Sequence, residues 1–315
     1  MNLNRAAAAL VDAMIADGDR LRIAAQTLPC GTTVVDCGIR APGGLEAGRR
    51  LAEICMAGLG RVEIAPTQLA GIALPGVVVR TDHPVAACMG AQYAGWQLTL
   101  GKYFAMGSGP MRAAARKEGL IESLELGEDA DIAVGVLESG KLPPNDLCRD
   151  VADDCRVPPA KLRLLVARTA SLAGGVQIVA RSVETALHKL HELGFDLSRI
   201  ESGYGVAPLP PPAGDDFGSM GRTNDAILYA GEVTLFARGD DETLAETVAR
   251  VPSCASRDHG LPFAEIFARG NGDFYAIDPL LFAPAVVALV NLDTGRVFRA
   301  GRFEPQIVLR SFGIE

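Results

Sequence analysis

The chain has 315 residues, 49% hydrophobic and 22% charged, with a formal net charge of -8. That is enough chain for one large domain or two lobes with real cores. The acid excess, the lack of a basic cluster and the single Trp disfavour a nucleic-acid partner.

The seven cysteines are odd in number and form no CxxC pair, which fits reduced thiols rather than a disulfide framework or a zinc knuckle. The amino-terminus lacks a signal-peptide profile, and the longest apolar runs are too short to span a membrane. A soluble cytoplasmic protein is expected. The 35 Gly and 19 Pro are spread along the chain, which reads as many turns in an ordered α/β or α+β protein.

Residues 2–25 read as an opening helix with Ala6, Leu10, Ala13 and Met14 on its apolar side and Asp17-Gly18-Asp19 as a candidate interruption. Thr32 to Val35 reads as a strand that delivers Asp36-Cys37-Gly38. Pro42-Gly43-Gly44 turns the chain into a second helix, Leu45 to Ala57, and short strands follow at Val62 to Ala65 and Gly76 to Val79. The passage from Arg80 to Gln97 is dense in polar residues and glycine. Pro84 biases His83 away from helix. A His beside Asp82 in a cleft suits acid–base chemistry, and a loop His bonded to backbone is the alternative.

KYFAMGSGPM, 102–111, reads as a loop feeding a helix amino-terminus, with Pro110 at the first helical position. Free N–H groups there suit an anion or a ring carbonyl, and a tight structural turn is the alternative. Asp131 to Leu137 reads as an apolar strand, followed by a short amphipathic helix ending near Cys155 and a second strand, Leu162 to Val166. This order predicts a parallel unit with a covering helix.

The stretch from Arg168 to Gly194 then turns through Gly174-Gly175 into a helix. Val176, Ala180, Val183, Leu187 and Leu190 form one apolar stripe, and Gly194 ends it. Arg181 and Glu184 lie off the stripe, three apart, where side chains are neighbours. Such a pair either positions and activates a small nucleophile such as water or is a solvated surface ion pair.

Residues 203–218, GYGVAPLPPPAGDDFG, read as the clearest loop. Ala226 to Tyr229 and Val233 to Ala237 read as strands, Asp241 to Arg250 as a helix, Val286 to Leu292 as a strong strand, and Val297 to Phe303 as completing a hairpin.

Standard motifs exclude more than they name. There is no HExxH, no GxSxG elbow, no dinucleotide fingerprint and no phosphate loop. His188 and His191 sit three apart, a spacing that a metal or a helix end both tolerate. The residues alone point to a metal-free enzyme or a binding protein with glycine-lined ligand loops.

Eight separated stretches nevertheless resemble one family. They are VVDCG (34–38), CMAGLG (55–60), TDHPVAACMGAQYAGWQ (81–97), KYFAMGSGP (102–110), VQIVARSVETA (176–186), GRTNDAILYAG (221–231), VPSCASRDHGLPFAEIF (251–267) and DPLLFAPA (278–285). Together they are similar to methenyltetrahydromethanopterin cyclohydrolases over essentially the whole chain. The resemblance implies reversible hydrolysis of the methenyl carrier to its formyl derivative in one-carbon metabolism. It implies no metal or redox cofactor, a homotrimer, and an α/β fold of two lobes with the pterin in a cleft between them. The lobes are expected at about 1–125 and 126–277, with strands from about 278–315 returning to the first.

The family assigns catalysis to the pair that falls on Arg181 and Glu184. With the pterin as substrate, Gly107, Ser108 and Gly109 are expected to line it, and Asn224 and Asp225 to meet its amino-pyrimidinone edge. Ser253, Arg257, Lys102 and His83 are further cleft candidates, Arg257 or Lys102 for the anionic end of the carrier. The competing readings are a cyclohydrolase for methenyl-tetrahydrofolate and a pterin-binding protein without catalysis.

Overall fold

The computed structural model describes residues 2–270, 272 and 276–314. It is a mixed α/β protein built on two six-stranded sheets. The chain divides into two compact units, Met1–Arg61 with Ala86–Gln177, and Val62–Val85 with Ile178–Glu315.

The first sheet has the order β1-β2-β8-β7-β6-β5. Its strands are β1 (Ala24–Thr27), β2 (Thr33–Asp36), β5 (Trp96–Leu100), β6 (Tyr103–Ser108), β7 (Ala133–Glu138) and β8 (Leu162–Ala167). Strands β2, β8 and β7 are mutually parallel, and the helix Asn145–Asp154 connects β7 to β8, as the apolar runs predict. These runs are continuous because both faces are buried. Val34, Leu164 and Val166 face one core, with Leu147 and Val151 of the connecting helix. Val35, Leu165 and Ala167 face the other, with Val11 and Met14 of the helix Leu3–Ala16 and Leu51 and Ile54 of the helix Leu45–Cys55.

The opening helix Leu3–Ala16 is interrupted at Asp17, inside the expected Asp17-Gly18-Asp19 break, and a single turn Gly18–Leu21 follows; Ala24–Thr27, expected as helix, is edge strand β1. At the end of β2 the buried Asp36 carboxylate accepts N–H groups of Gly38, Ile39, Arg40 and Ala41 at 2.7–3.1 Å. This accounts for an Asp in VVDCG: four amides of one turn converge on a single carboxylate.

The second sheet has the order β12-β11-β10-β9-β4-β3. Its strands are β3 (Gly60–Leu69), β4 (Ile72–Thr81), β9 (Ile200–Pro208), β10 (Glu232–Ala237), β11 (Val286–Asn291) and β12 (Val297–Gly301). β10 and β11 are parallel, while β9 runs antiparallel to both β4 and β10.

Two sequence expectations change here. Residues 203–208 belong to a central strand and not to a loop. Residues 226–229 lie inside the 15-residue helix Asp216–Ala230, so that apolar run is a helix face and not a strand. The polar passage after β4 is an eight-residue π-helix, Val85–Gln92, with Tyr93 N–H reaching back to Cys88 O.

Candidate functional site

The stretch 168–194 is two helices rather than one. Leu172–Val179 ends, Ala180 and Arg181 form a break, and Ser182–Glu192 begins. The passage from the first unit to the second falls at 177/178, just before this break. Gly194 closes the second helix in a left-handed conformation, φ 78°, with Phe195 N–H returning to Leu190 O, as the glycine in that place predicts.

The break gives Arg181 and Glu184 particular places. Arg181 is the N-cap residue, with φ -86° and ψ 7°, and its carbonyl accepts Thr185 N–H at 2.9 Å. Glu184 is at the third helical position, so the two share the pair of positions that meet in a capping box. Arg181 is 7% exposed and Glu184 5%. A solvated surface ion pair does not look like this, because both charges are withdrawn from water. A buried carboxylate at a helix amino-terminus, beside an arginine, suits stabilising a cation and taking a proton from a bound water.

Sequence reading passed over Lys189 on the same helix. It is 1% exposed, and its ammonium donates to Leu280 O in the DPLLFAPA stretch. Burial pushes the amine down to about 8, with Asp278 opposing. The signal available was its place one turn beyond the buried Ala186.

The other candidates fall into separate groups. Lys102, Gly107, Ser108 and Gly109 belong to the first unit. Lys102 is exposed in the two-residue turn between β5 and β6. Tyr103–Ser108 is strand, so the glycine loop expected there is only Gly109-Pro110 before the short helix Met111–Ala115. Ser108 is buried, donates to Val136 O at 3.1 Å and contacts Cys55 Sγ at 3.3 Å. Gly109 has φ 90°, and its N–H bonds Ala91 O at 2.8 Å.

The second unit holds His83, Asn224, Asp225, Ser253 and Arg257. His83 is exposed after β4, its N–H bonded to Thr81 Oγ1 at 3.0 Å. Asn224 turns back onto its own helix, Nδ2 to Met220 O at 2.9 Å. Asp225 is fully buried, and its Oδ1 accepts Phe263 N–H at 2.8 Å. Oδ2 makes no hydrogen bond, and burial pushes the carboxyl up to about 7 against the pull of Ser311 and the Phe263 N–H.

Ser253 is buried and donates to Leu228 O, so Asp225 and Ser253 both anchor flanking chain to the helix Asp216–Ala230. Arg257 projects from that neighbouring chain with its side chain 77% exposed. Among the described residues, no group of three His, Cys, Asp or Glu is arranged to hold a metal ion.

Comparison with known proteins covers the whole chain. The family model described as "Cyclohydrolase (MCH)" matches residues 2–312. A methenyltetrahydromethanopterin cyclohydrolase of Xanthobacter autotrophicus is 48% identical over 313 residues, 99% of this chain and 93% of that protein. One of Rhodopirellula baltica is 48% identical over 90% of this chain and 87% of its own length. One of Methanocaldococcus jannaschii is 42% identical over 99% of this chain and 98% of its own. The separated motifs and the full-length match agree, and the chain belongs to the methenyltetrahydromethanopterin cyclohydrolase family.

Proposed function

We propose that the protein hydrolyses methenyl-tetrahydromethanopterin to the formyl derivative and runs the reverse reaction. The observation that carries this reading is the 48% identity, over 99% of the chain, to a protein of that activity by name. The burial of Arg181 and Glu184 at one helix start supports the assignment of the chemistry to them.

The substrate is a cation whose charge is shared by two nitrogens and the carbon bridging them. Glu184 stabilises that charge and orients a water toward the carbon. As the water oxygen bonds to carbon, Glu184 takes a water proton. The adduct then opens. One carbon–nitrogen bond breaks, that nitrogen takes a proton, the hydroxyl gives up its own, and a formyl group remains on the other nitrogen. The balance is one proton released per turnover with no change of oxidation state, so no redox cofactor enters. Arg181 holds the Glu184 carboxylate in place.

The test is decay of the near-ultraviolet band of the methenyl carrier on adding protein. Wild type is expected to clear it, and Glu184→Gln to lose at least about 100-fold in kcat with the fold intact. Normal turnover by that variant removes Glu184 as the base. Clearance of methenyl-tetrahydrofolate at an equal rate favours the folate reading, and binding without decay favours a pterin-binding protein.

A homotrimer is proposed with this function, and light scattering is expected to give a particle three times the 33.0 kDa chain. A particle of one chain's mass overturns it. The seven free thiols fit a reducing cytoplasm. Among the described residues, no helix is long and apolar enough to cross a membrane.

A further inference from the structure

The two residues between Arg181 and Glu184 are Ser182 and Val183, both fully buried. They rest on β9 at its two glycines. A methyl group on Gly203 would come within 2.7 Å of Val183 Cγ1. One on Gly205 would come within 2.5 Å of Ser182 Oγ and 3.0 Å of Val183 Cγ2. Both approaches are closer than a real Cβ tolerates at ordinary van der Waals distance. The Ser182 hydroxyl makes no hydrogen bond, so no bond is broken when it rotates about χ1. Val183 has no such freedom: a valine in a helix is held to one χ1 rotamer. The glycines are not needed for backbone freedom, since neither has a positive φ. Both face the helix, and Tyr204 between them points the other way and is 43% exposed.

We propose that Gly203 and Gly205 are positioning residues for Glu184, their missing side chains setting the depth at which the first turn of the helix Ser182–Glu192 lies on the sheet. The inference rests on Glu184 acting in the reaction. A Cβ at position 203 lifts Val183, and the carboxylate on the next residue moves with it. Displacements of that order are costly in a site that relies on alignment.

The experiment compares wild type, Gly203→Ala, Gly203→Ala with Val183→Ala, and Glu184→Gln in the same decay assay. Each is first checked by circular dichroism and melting temperature. Gly203→Ala is expected to stay folded and lose about 10-fold or more in kcat, with KM changed by less than about twofold. The double variant, which moves bulk from the helix to the strand, is expected to recover most of that kcat.

Wild-type kcat in Gly203→Ala overturns the proposal. So does a loss that tracks only the unfolded fraction, or a double variant no better than the single one. Glu184→Gln separates the two failures. If it is inactive while Gly203→Ala is normal, the seating idea alone falls. If Glu184→Gln is fully active, the catalytic assignment falls and this inference with it.

Discussion

Asp225 shows what a single residue in this fold can contribute apart from chemistry. Its carboxyl caps the start of the helix Phe263–Arg269 through Phe263 N–H, from a position with no exposed surface. The folded carboxyl, at about 7, lies above the ordinary aspartate value of 3.8. A raised folded value means that the folded state holds the proton more tightly. The stability is therefore fully present below about pH 4 and is lost as pH rises through 7. Glu265 adds to the rise from the capped helix, while the Ser311 hydroxyl on the last helix opposes it. Asn keeps the acceptor for Phe263 N–H but cannot ionise. Asp225→Asn is expected to gain about 2 kcal/mol or more on wild type between pH 5 and pH 8. Chemical denaturation at the two pH values measures this, and parallel curves refute it.

Strands were legible where a continuous apolar run was bounded by turn residues. The runs at β2, β7, β8 and β11 are continuous and apolar, and each is a strand. The run Ala226 to Tyr229 is just as apolar but lies in a helix: a short continuous run carries no period, and packing decides its state. Gly203 and Gly205 look like loop residues until the helix that needs their bareness is in view. The π-helix Val85–Gln92 has a local sequence that gives no sign of it. Its last carbonyls are met from elsewhere: Arg112, buried, donates to Met89 O at 2.9 Å and Ala91 O at 3.3 Å. Glu118, 2.6 Å from Arg112 Nε, balances the charge, and Tyr93 lies beneath the guanidinium at 5.0 Å. The site follows the same rule. The spacing of Arg181 and Glu184 is readable, whereas their burial and the helix break before them depend on packing.

At the scale of the whole molecule, the path of the chain decides what is able to fold alone. The second unit takes Val62–Val85 from between two parts of the first. That hairpin supplies β4, which pairs with β9 from Gly76–Pro208 to Thr81–Gly203. Nothing local in residues 62–85 announces this partner, since the pairing joins residues far apart in the chain. A fragment of residues 178–315 keeps β9 through β12 but leaves the β4 side of β9 with a row of unpaired N–H and C=O groups. Exposed, long and flanked by apolar residues, such an edge recruits other chains. The fragment is expected to aggregate. The same fragment joined through a flexible linker to residues 62–85 regains the missing neighbour and is expected to be soluble, with dispersed amide resonances. A soluble, ordered 178–315 fragment would show instead that β9 is held by β10 and the covering helices alone.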